Sequence, residues 1–249
     1  MSKKDRGGLS KRQEFRERRR RAELRSRLLV LGGIILLAVA VAYFLIYPNL
    51  KPVEAVTVTP FARPQVDFNN AGNPDAPVKI AEYSDFQCPF CARFTKDTEQ
   101  KLVDTYVATG KVYFTYHSVG NFLGDESVAA AEAAYCAGDQ GKFWEYHDMV
   151  FANQNGENQG WFTSRRLTAF AETLGLDMTA FDSCFDSGKY ADLVSQDKLD
   201  ATQAGAQSTP TFVITYTAGG QTVTRQLVGA QPFSAFQQEI ETALAAADK

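Results

Sequence analysis

Residues 85–91 read Asp85-Phe86-Gln87-Cys88-Pro89-Phe90-Cys91, and this stretch decides the fold. Upstream lies a run of apolar and β-branched residues, 78–83; from Pro89 onward the pattern becomes helical. Cys88 therefore falls at a predicted helix N-terminus, where unpaired backbone N–H groups and the positive end of the dipole favour a negative charge. The thiolate is the nucleophilic form of cysteine, and such a site lowers the pKa from its usual value of about 8.5. Cys91 follows one helical turn later and is placed to attack any mixed disulfide that Cys88 forms, as in a reversible dithiol–disulfide couple. Half of a zinc site, or two buried structural cysteines, share the same spacing. The strand-to-helix junction favours the redox reading.

The N-terminus says where such a couple works. Residues 1–27 hold twelve Lys or Arg against four Asp or Glu, a net charge of +8. The uncharged apolar run 28–47 that follows is long enough, as a helix, to cross a hydrocarbon core of about 30 Å. Flanking charge orients such a span with the basic arm in the cytoplasm and everything after Pro48 outside. Ala38-Val39-Ala40 and Ala40-Val41-Ala42 resemble small-residue cleavage sites, but cutting there would fall inside the apolar run, so an uncleaved anchor is expected. The arm fixes topology; binding to anionic headgroups is a second use of the same charge.

The whole chain carries −3, so the part beyond residue 27 carries −11. An outer domain of that charge cannot neutralise phosphates, which argues against nucleic-acid binding. All four cysteines, Cys88, Cys91, Cys136 and Cys184, lie beyond the apolar run, in a compartment where disulfides persist. Four cysteines allow three connectivities. The economical one pairs Cys88 with Cys91 and Cys136 with Cys184, the second pair bridging two predicted helices as a structural disulfide.

Residues 48–64, rich in Pro and small residues, read as a tether, and 65–77 as an edge strand with an approach loop. A buried strand at 78–85, a helix at 89–109 ended by Gly110, and a strand at 112–117 then form a parallel strand–helix–strand unit. Helices are predicted at 127–137, 142–152, 164–174, 179–187 and 189–204, a helical insertion spanning about 122–205. Strands return at 211–217 and 221–227, joined by Ala218-Gly219-Gly220 as a hairpin, and Ser234 is the expected cap of a final helix through Leu244. Residues 65–249 thus make one α/β domain with a central mixed sheet.

That order, with Cys-x-x-Cys after the first core strand, resembles a thioredoxin fold with an inserted helical subdomain. It is similar to the DsbA-like family of extracytoplasmic thiol oxidoreductases, including membrane-anchored BdbD-type members. Four stretches carry the resemblance: the 85–91 segment; Ser208-Thr209-Pro210-Thr211-Phe212, like the family's cis-proline loop; Gln140-Gly141-Lys142-Phe143-Trp144-Glu145-Tyr146-His147 in the insertion; and Glu82, six residues before Cys88, where these proteins often hold a buried acid. The resemblance implies Cys88 as nucleophile and Cys91 as resolving thiol, with Thr209, Pro210, Pro89 and Phe90 lining the client site. It implies no cofactor beyond the Cys88–Cys91 disulfide itself. Its implied partners are unfolded or reduced exported proteins and a membrane reoxidant of DsbB or VKOR type. One departure bears on strength: the best-known oxidases carry Pro-His between the cysteines, whereas Pro89-Phe90 brings no cationic ring, which implies a milder oxidant.

Glu82 sits in an otherwise apolar strand, and its parity is opposite to that of Lys79, so exposing Lys79 turns Glu82 inward. Burial raises a carboxyl pKa toward neutrality, which suits Glu82 to be a proton acceptor for Cys91 through water. Of the two histidines, His147 lies on an aromatic helix face and reads as core, while His117 ends a strand near the expected site. Three other functions remain open at this level: a reductase or isomerase of the same fold, a non-catalytic anchored chaperone, and a metal-binding module. The last needs four ligands, and the chain offers no second Cys-x-x-Cys.

Overall fold

The computed structural model describes residues 11–50, 53, 55–120 and 122–247. Residues 1–10 of the basic arm, 51, 52 and 54 of the tether, and 121 and 248–249 of the domain lie outside the described residues. The chain divides into two units, Met1–Pro52 and Val53–Lys249.

Among its described residues the first unit is one helix, α1 (Lys11–Leu50). It runs on from the apolar stretch back through the basic arm, because Arg, Lys and Glu are themselves good helix formers. Its Lys11–Tyr47 portion is long and apolar enough to cross a membrane, and apolar side chains such as Leu29, Leu36 and Phe44 stand exposed.

The second unit is built on a five-stranded sheet in the order β1-β3-β2-β4-β5. The strands are β1 (Asn70–Ala71), β2 (Val78–Ser84), β3 (Val112–Ser118), β4 (Thr211–Ala218) and β5 (Gln221–Val228). Strands β2 and β3 run parallel; β1–β3, β2–β4 and β4–β5 are antiparallel. The parallel pair is joined by a long helical crossover: α2 (Pro89–Phe94), a π-helical stretch Thr95–Glu99, α3 (Gln100–Leu102) and a second π-helical stretch Val103–Val107. Gly110, at φ 73°, follows its end as expected. The insertion comprises α4 (Asp125–Gly138), α5 (Phe143–Ala152), α6 (Ser164–Thr173), α7 (Met178–Asp186) and α8 (Ala191–Gln203), and α9 (Phe233–Ala247) closes the domain.

The core is strongly aromatic. Phe94, Phe212 and Phe236 meet between crossover, sheet and α9, while Tyr116, Phe143, Trp144 and His147 meet between β3 and α5. Cys136 on α4 and Cys184 on α7 form a disulfide with Cα atoms 5.8 Å apart, tying two helices of the insertion together.

Three local expectations change. The edge strand is only Asn70–Ala71, because Gln65 and Phe68 adopt positive φ of 47° and 55° and the Phe68 ring turns in to stack on Tyr135. Helix α9 starts at Phe233, so Ser234 lies inside its first turn rather than capping it. The largest change concerns the tether: residues 55–64 are fastened to the domain. Asn153 brackets Val56, accepting from its N–H at 2.7 Å and donating to its C=O at 2.9 Å. Arg63 is buried, its guanidinium held by Glu99 and Asp148 at 2.7 Å each. A cation removed from water has to be paired, and pairing fixes the backbone that carries it.

Candidate active site

Asp85 builds the turn that presents Cys88. Its carboxylate accepts from the Gln87 N–H at 2.8 Å and the Ser127 hydroxyl at 2.6 Å, while its carbonyl accepts from the Cys88 N–H at 2.9 Å. Cys88 is the N-cap residue of α2, with extended backbone, and Pro89 occupies the first helical turn, where its missing N–H costs nothing. The Cys88 carbonyl accepts the first intrahelical bond, from Ala92 at 3.1 Å. Two residues beyond α5, the Gln154 side-chain amide donates to Phe86 O at 2.6 Å and Cys88 O at 3.0 Å, clamping the turn from the insertion.

Cys88 and Cys91 are both thiols here. Cys91 is fully enclosed, whereas Cys88 keeps 5% of its surface open. Cys88 is thus the more accessible of the two sulfurs, yet it is far less exposed than a surface nucleophile, with the Thr209 carbonyl against its sulfur. The Cys88 S–H donates to the Thr209 carbonyl at 3.3 Å. The Thr209–Pro210 peptide is cis, Pro210 is buried, and Pro89 and Phe90 are exposed.

The two sulfurs differ in acidity. The Cys91 thiol is the largest influence lowering the Cys88 pKa, to about 6, against the opposing effect of burial; the Thr209 side chain and the N–H groups of Cys91 and Phe90 add to it. Cys91 moves the other way, well above the ordinary thiol value, first through burial and then through the neighbouring charges of Cys88 and Glu82.

Glu82 lies fully buried on β2 while Lys79 is exposed, as strand parity requires. Neither Glu82 oxygen has a hydrogen-bond partner among the described residues. Burial lifts its pKa well above the usual carboxylate range, and the charge of Glu99 lifts it further; Ser84 and Arg63 oppose this without overcoming it. The histidines stand apart from this chemistry. His147 is enclosed, its Nδ1 2.9 Å from Asp148. His117 stacks on Tyr83 and pairs with Asp197 at 2.7 Å.

Four residues near the site escape sequence reasoning: Arg63, Glu99, Asp148 and Gln154. Arg63 meets Glu99 and Asp148, and Gln154 meets Cys88, across 36 to 85 residues of chain, beyond the reach of any local pattern. The usable signals are indirect, such as Asp148 beside His147 on the aromatic face of α5.

A thioredoxin-type sheet with an inserted helical subdomain, Cys88 at the helix N-cap position and a cis-proline loop beside it is the arrangement of a thioredoxin fold, and it matches the fold of the DsbA and BdbD structures. The chain belongs to the thioredoxin family, whose model, described as thioredoxin, matches residues 69–226. Among solved structures, oxidised BdbD from Bacillus subtilis superposes with a TM-score of 0.62 at 23% identity, covering 78% of this chain and 100% of that one. Alpha-DsbA1 from Wolbachia pipientis gives 0.64 at 22% identity, covering 74% and 94%. A probable disulfide bond formation protein D of Bacillus cereus is 29% identical over 148 residues, 57% of this chain and 68% of that protein. The chain is also 34% identical over 143 residues, 57% of its length, to a Na(+)/H(+) antiporter NhaA 1 of Salinispora arenicola, of which it spans only 21%.

Proposed function

We propose that this chain is a membrane-anchored, extracytoplasmic thiol:disulfide oxidoreductase that introduces disulfides into exported proteins through Cys88 and Cys91. The observation that carries the reading is the asymmetry of the pair: Cys88 stands at the N-cap of α2 with part of its surface open and its pKa lowered to about 6, while Cys91 is fully enclosed and burial pushes its thiol up. A stabilised Cys88 thiolate favours the reduced enzyme, and a couple whose reduced form is stabilised passes its disulfide on.

In the forward step a client thiolate attacks Cys88 Sγ of the Cys88–Cys91 disulfide. The S–S bond breaks, Cys91 leaves as a thiolate, and the Glu82 carboxyl is the proton source that neutralises it. A second client thiolate then attacks the client sulfur of the mixed disulfide, and Cys88 leaves as its stable thiolate. The client has lost two electrons and the enzyme has gained them. A membrane reoxidant of DsbB or VKOR type, reached from the membrane by way of the α1 anchor, returns the disulfide. Thr209 and Pro210, with Pro89 and Phe90 opposite, hold the client segment across Cys88, the Thr209 backbone offering strand-like hydrogen bonds. Cys136–Cys184 stays outside the electron path as a structural bridge.

The test is thiol trapping of the full chain in intact cells, alongside its equilibrium with glutathione. A Cys88–Cys91 pair found mainly oxidised, with a potential more oxidising than that of glutathione, supports the oxidase. A pair held reduced in cells overturns it in favour of a reductase or isomerase. Absence of any exchange with a reduced client reduces the chain to an anchored binding domain.

A further inference from the structure

The segment before the sheet is stitched to both halves of the redox site. At one end the Asn153 side chain takes the Val56 N–H at 2.7 Å and donates to the Val56 C=O at 2.9 Å, while also donating to Met149 O in the last turn of α5. The next residue, Gln154, is the one that donates to Phe86 O and Cys88 O. At the other end Arg63 donates to Glu99 Oε1 through Nε at 3.0 Å and Nη2 at 2.7 Å, and forks onto Asp148 at 2.7 and 3.1 Å. Glu99 belongs to the crossover that starts at Cys88, and Asp148 to the insertion, so one guanidinium joins the two. Both carboxylates accept from the same nitrogen, Nη2, so without the cation two like charges would be left side by side. Between this segment, α2 and α5 lies a cleft of about 700 Å³, lined by Val58, Phe61, Pro89, Ala92, Phe151 and Ala152 among others. The seam is therefore not packed solid beside α2. Its register rests on these polar contacts and on Phe151, whose ring meets that of Phe86 at 5.0 Å.

We propose that residues 56–63 are a strap belonging to the active site, in which the Val56 backbone and Arg63 are positioning groups that hold the end of α5 so that Gln154 keeps the Cys88 carbonyl, and with it the nucleophilic sulfur, in place. This rests on the thiol-exchange reading and deepens it. The strap touches neither sulfur. It acts through two contacts in series: strap to α5 by Asn153 and Asp148, then α5 to the active-site turn by Gln154. The Arg63 bond to Glu99 closes the loop by fixing the crossover to the same strap. Releasing the strap lets the end of α5 drift, and the Cys88 carbonyl loses its side-chain donor. The sulfur then moves off the Phe90 and Cys91 N–H groups that favour its thiolate. A displacement of this kind matters for rate because in-line attack at sulfur depends on where the atom sits.

The experiment uses the full chain in detergent micelles. Thiolate formation at Cys88 is followed by ultraviolet absorbance as pH is raised, and oxidation of a reduced model peptide is timed in parallel. Val56→Pro removes one N–H at a residue whose side chain is exposed, and Arg63→Lys keeps the charge but loses the fork. Each is made with and without Gln154→Ala. Alone, each strap variant is expected to move the Cys88 midpoint upward and to slow peptide oxidation by about three- to tenfold. In the Gln154→Ala background each is expected to add nothing, because the group through which it acts is gone. The chain with both Cys136→Ser and Cys184→Ser, destabilised within the insertion, is expected to keep the wild-type midpoint. An unchanged midpoint in both folded strap variants overturns the proposal, as does an effect undiminished by Gln154→Ala. An equal shift in the disulfide variant overturns it too, being what lost stability alone would give. The midpoint needs no client. A strap-dependent midpoint in a chain that oxidises no peptide upholds the strap and overturns the exchange reading instead.

Discussion

The Gln154 side chain donates to the Cys88 carbonyl at 3.0 Å across 66 residues of chain, so the helical insertion holds the backbone of the nucleophile. The same nitrogen reaches Phe86 O, and Asn153 beside it holds Val56. Gln154→Ala is expected to cost roughly 1–3 kcal/mol in urea unfolding, the range for leaving a buried acceptor without its donor; Phe86 O loses this donor, while Cys88 O keeps Ala92 N–H. It should also slow oxidation of a reduced model peptide by roughly tenfold through a misplaced sulfur.

Limiting alkylation of the dithiol form should label Cys88 and spare Cys91. The labelling rate should rise through pH about 6 as the Cys88 thiolate forms, while Cys91 reacts only above the ordinary thiol range. Thr209→Val, which removes a hydroxyl that favours the thiolate, should move the Cys88 midpoint upward. The sign for stability follows. A depressed folded-state pKa stabilises the reduced protein fully above the unfolded thiol value, and that stability is lost as pH falls through about 6. Preferential labelling of Cys91 would reverse the assigned roles.

Glu82 titrates in the opposite sense. Its folded pKa is raised above an unfolded value of 4.5, so its protonated form is fully tolerated below that pH, and stability drains away as pH climbs toward the folded value. Glu82→Gln should therefore match wild type in acid and become increasingly the more stable protein above pH 4.5, as followed by thermal unfolding across pH. Client oxidation by the same variant should slow, because Cys91 loses its proton partner.

Replacing both Cys136 and Cys184 by Ser should lower stability by about 4 kcal/mol, the chain-entropy figure for so long a loop, given their separation of 48 residues. Turnover at moderate temperature should survive. Loss of turnover in a folded double variant would bring this pair into the electron path.

What was legible in the sequence is what short-range chemistry dictates. Strands β2, β3 and β4 announce themselves through β-branched and aromatic runs. The Cys88 junction shows in the change of period at Pro89, and Glu82 shows in its parity against Lys79. Residues 55–64 misled because their composition is that of a linker; Asn153 and the pair Glu99 and Asp148, far along the chain, help fasten them down. Glu99 gave no signal for a related reason. On an uninterrupted α-helix a glutamate reads as solvated, but here it closes the π-helical stretch Thr95–Glu99, faces inward, and meets an arginine that precedes the sheet. The degree of closure over Cys88 was equally hidden, since it depends on a loop 121 residues downstream.

That distance has a consequence during synthesis. The residues around Cys88 leave the ribosome long before Gln154, and Thr209 follows later still. Until both have been made and docked, Cys88 has neither the clamp on its carbonyl nor the hydroxyl beside its sulfur. A half-made chain therefore carries a less acidic thiol, slower to capture the other cysteines of its own unfinished body. Full reactivity arrives with completion of the fold.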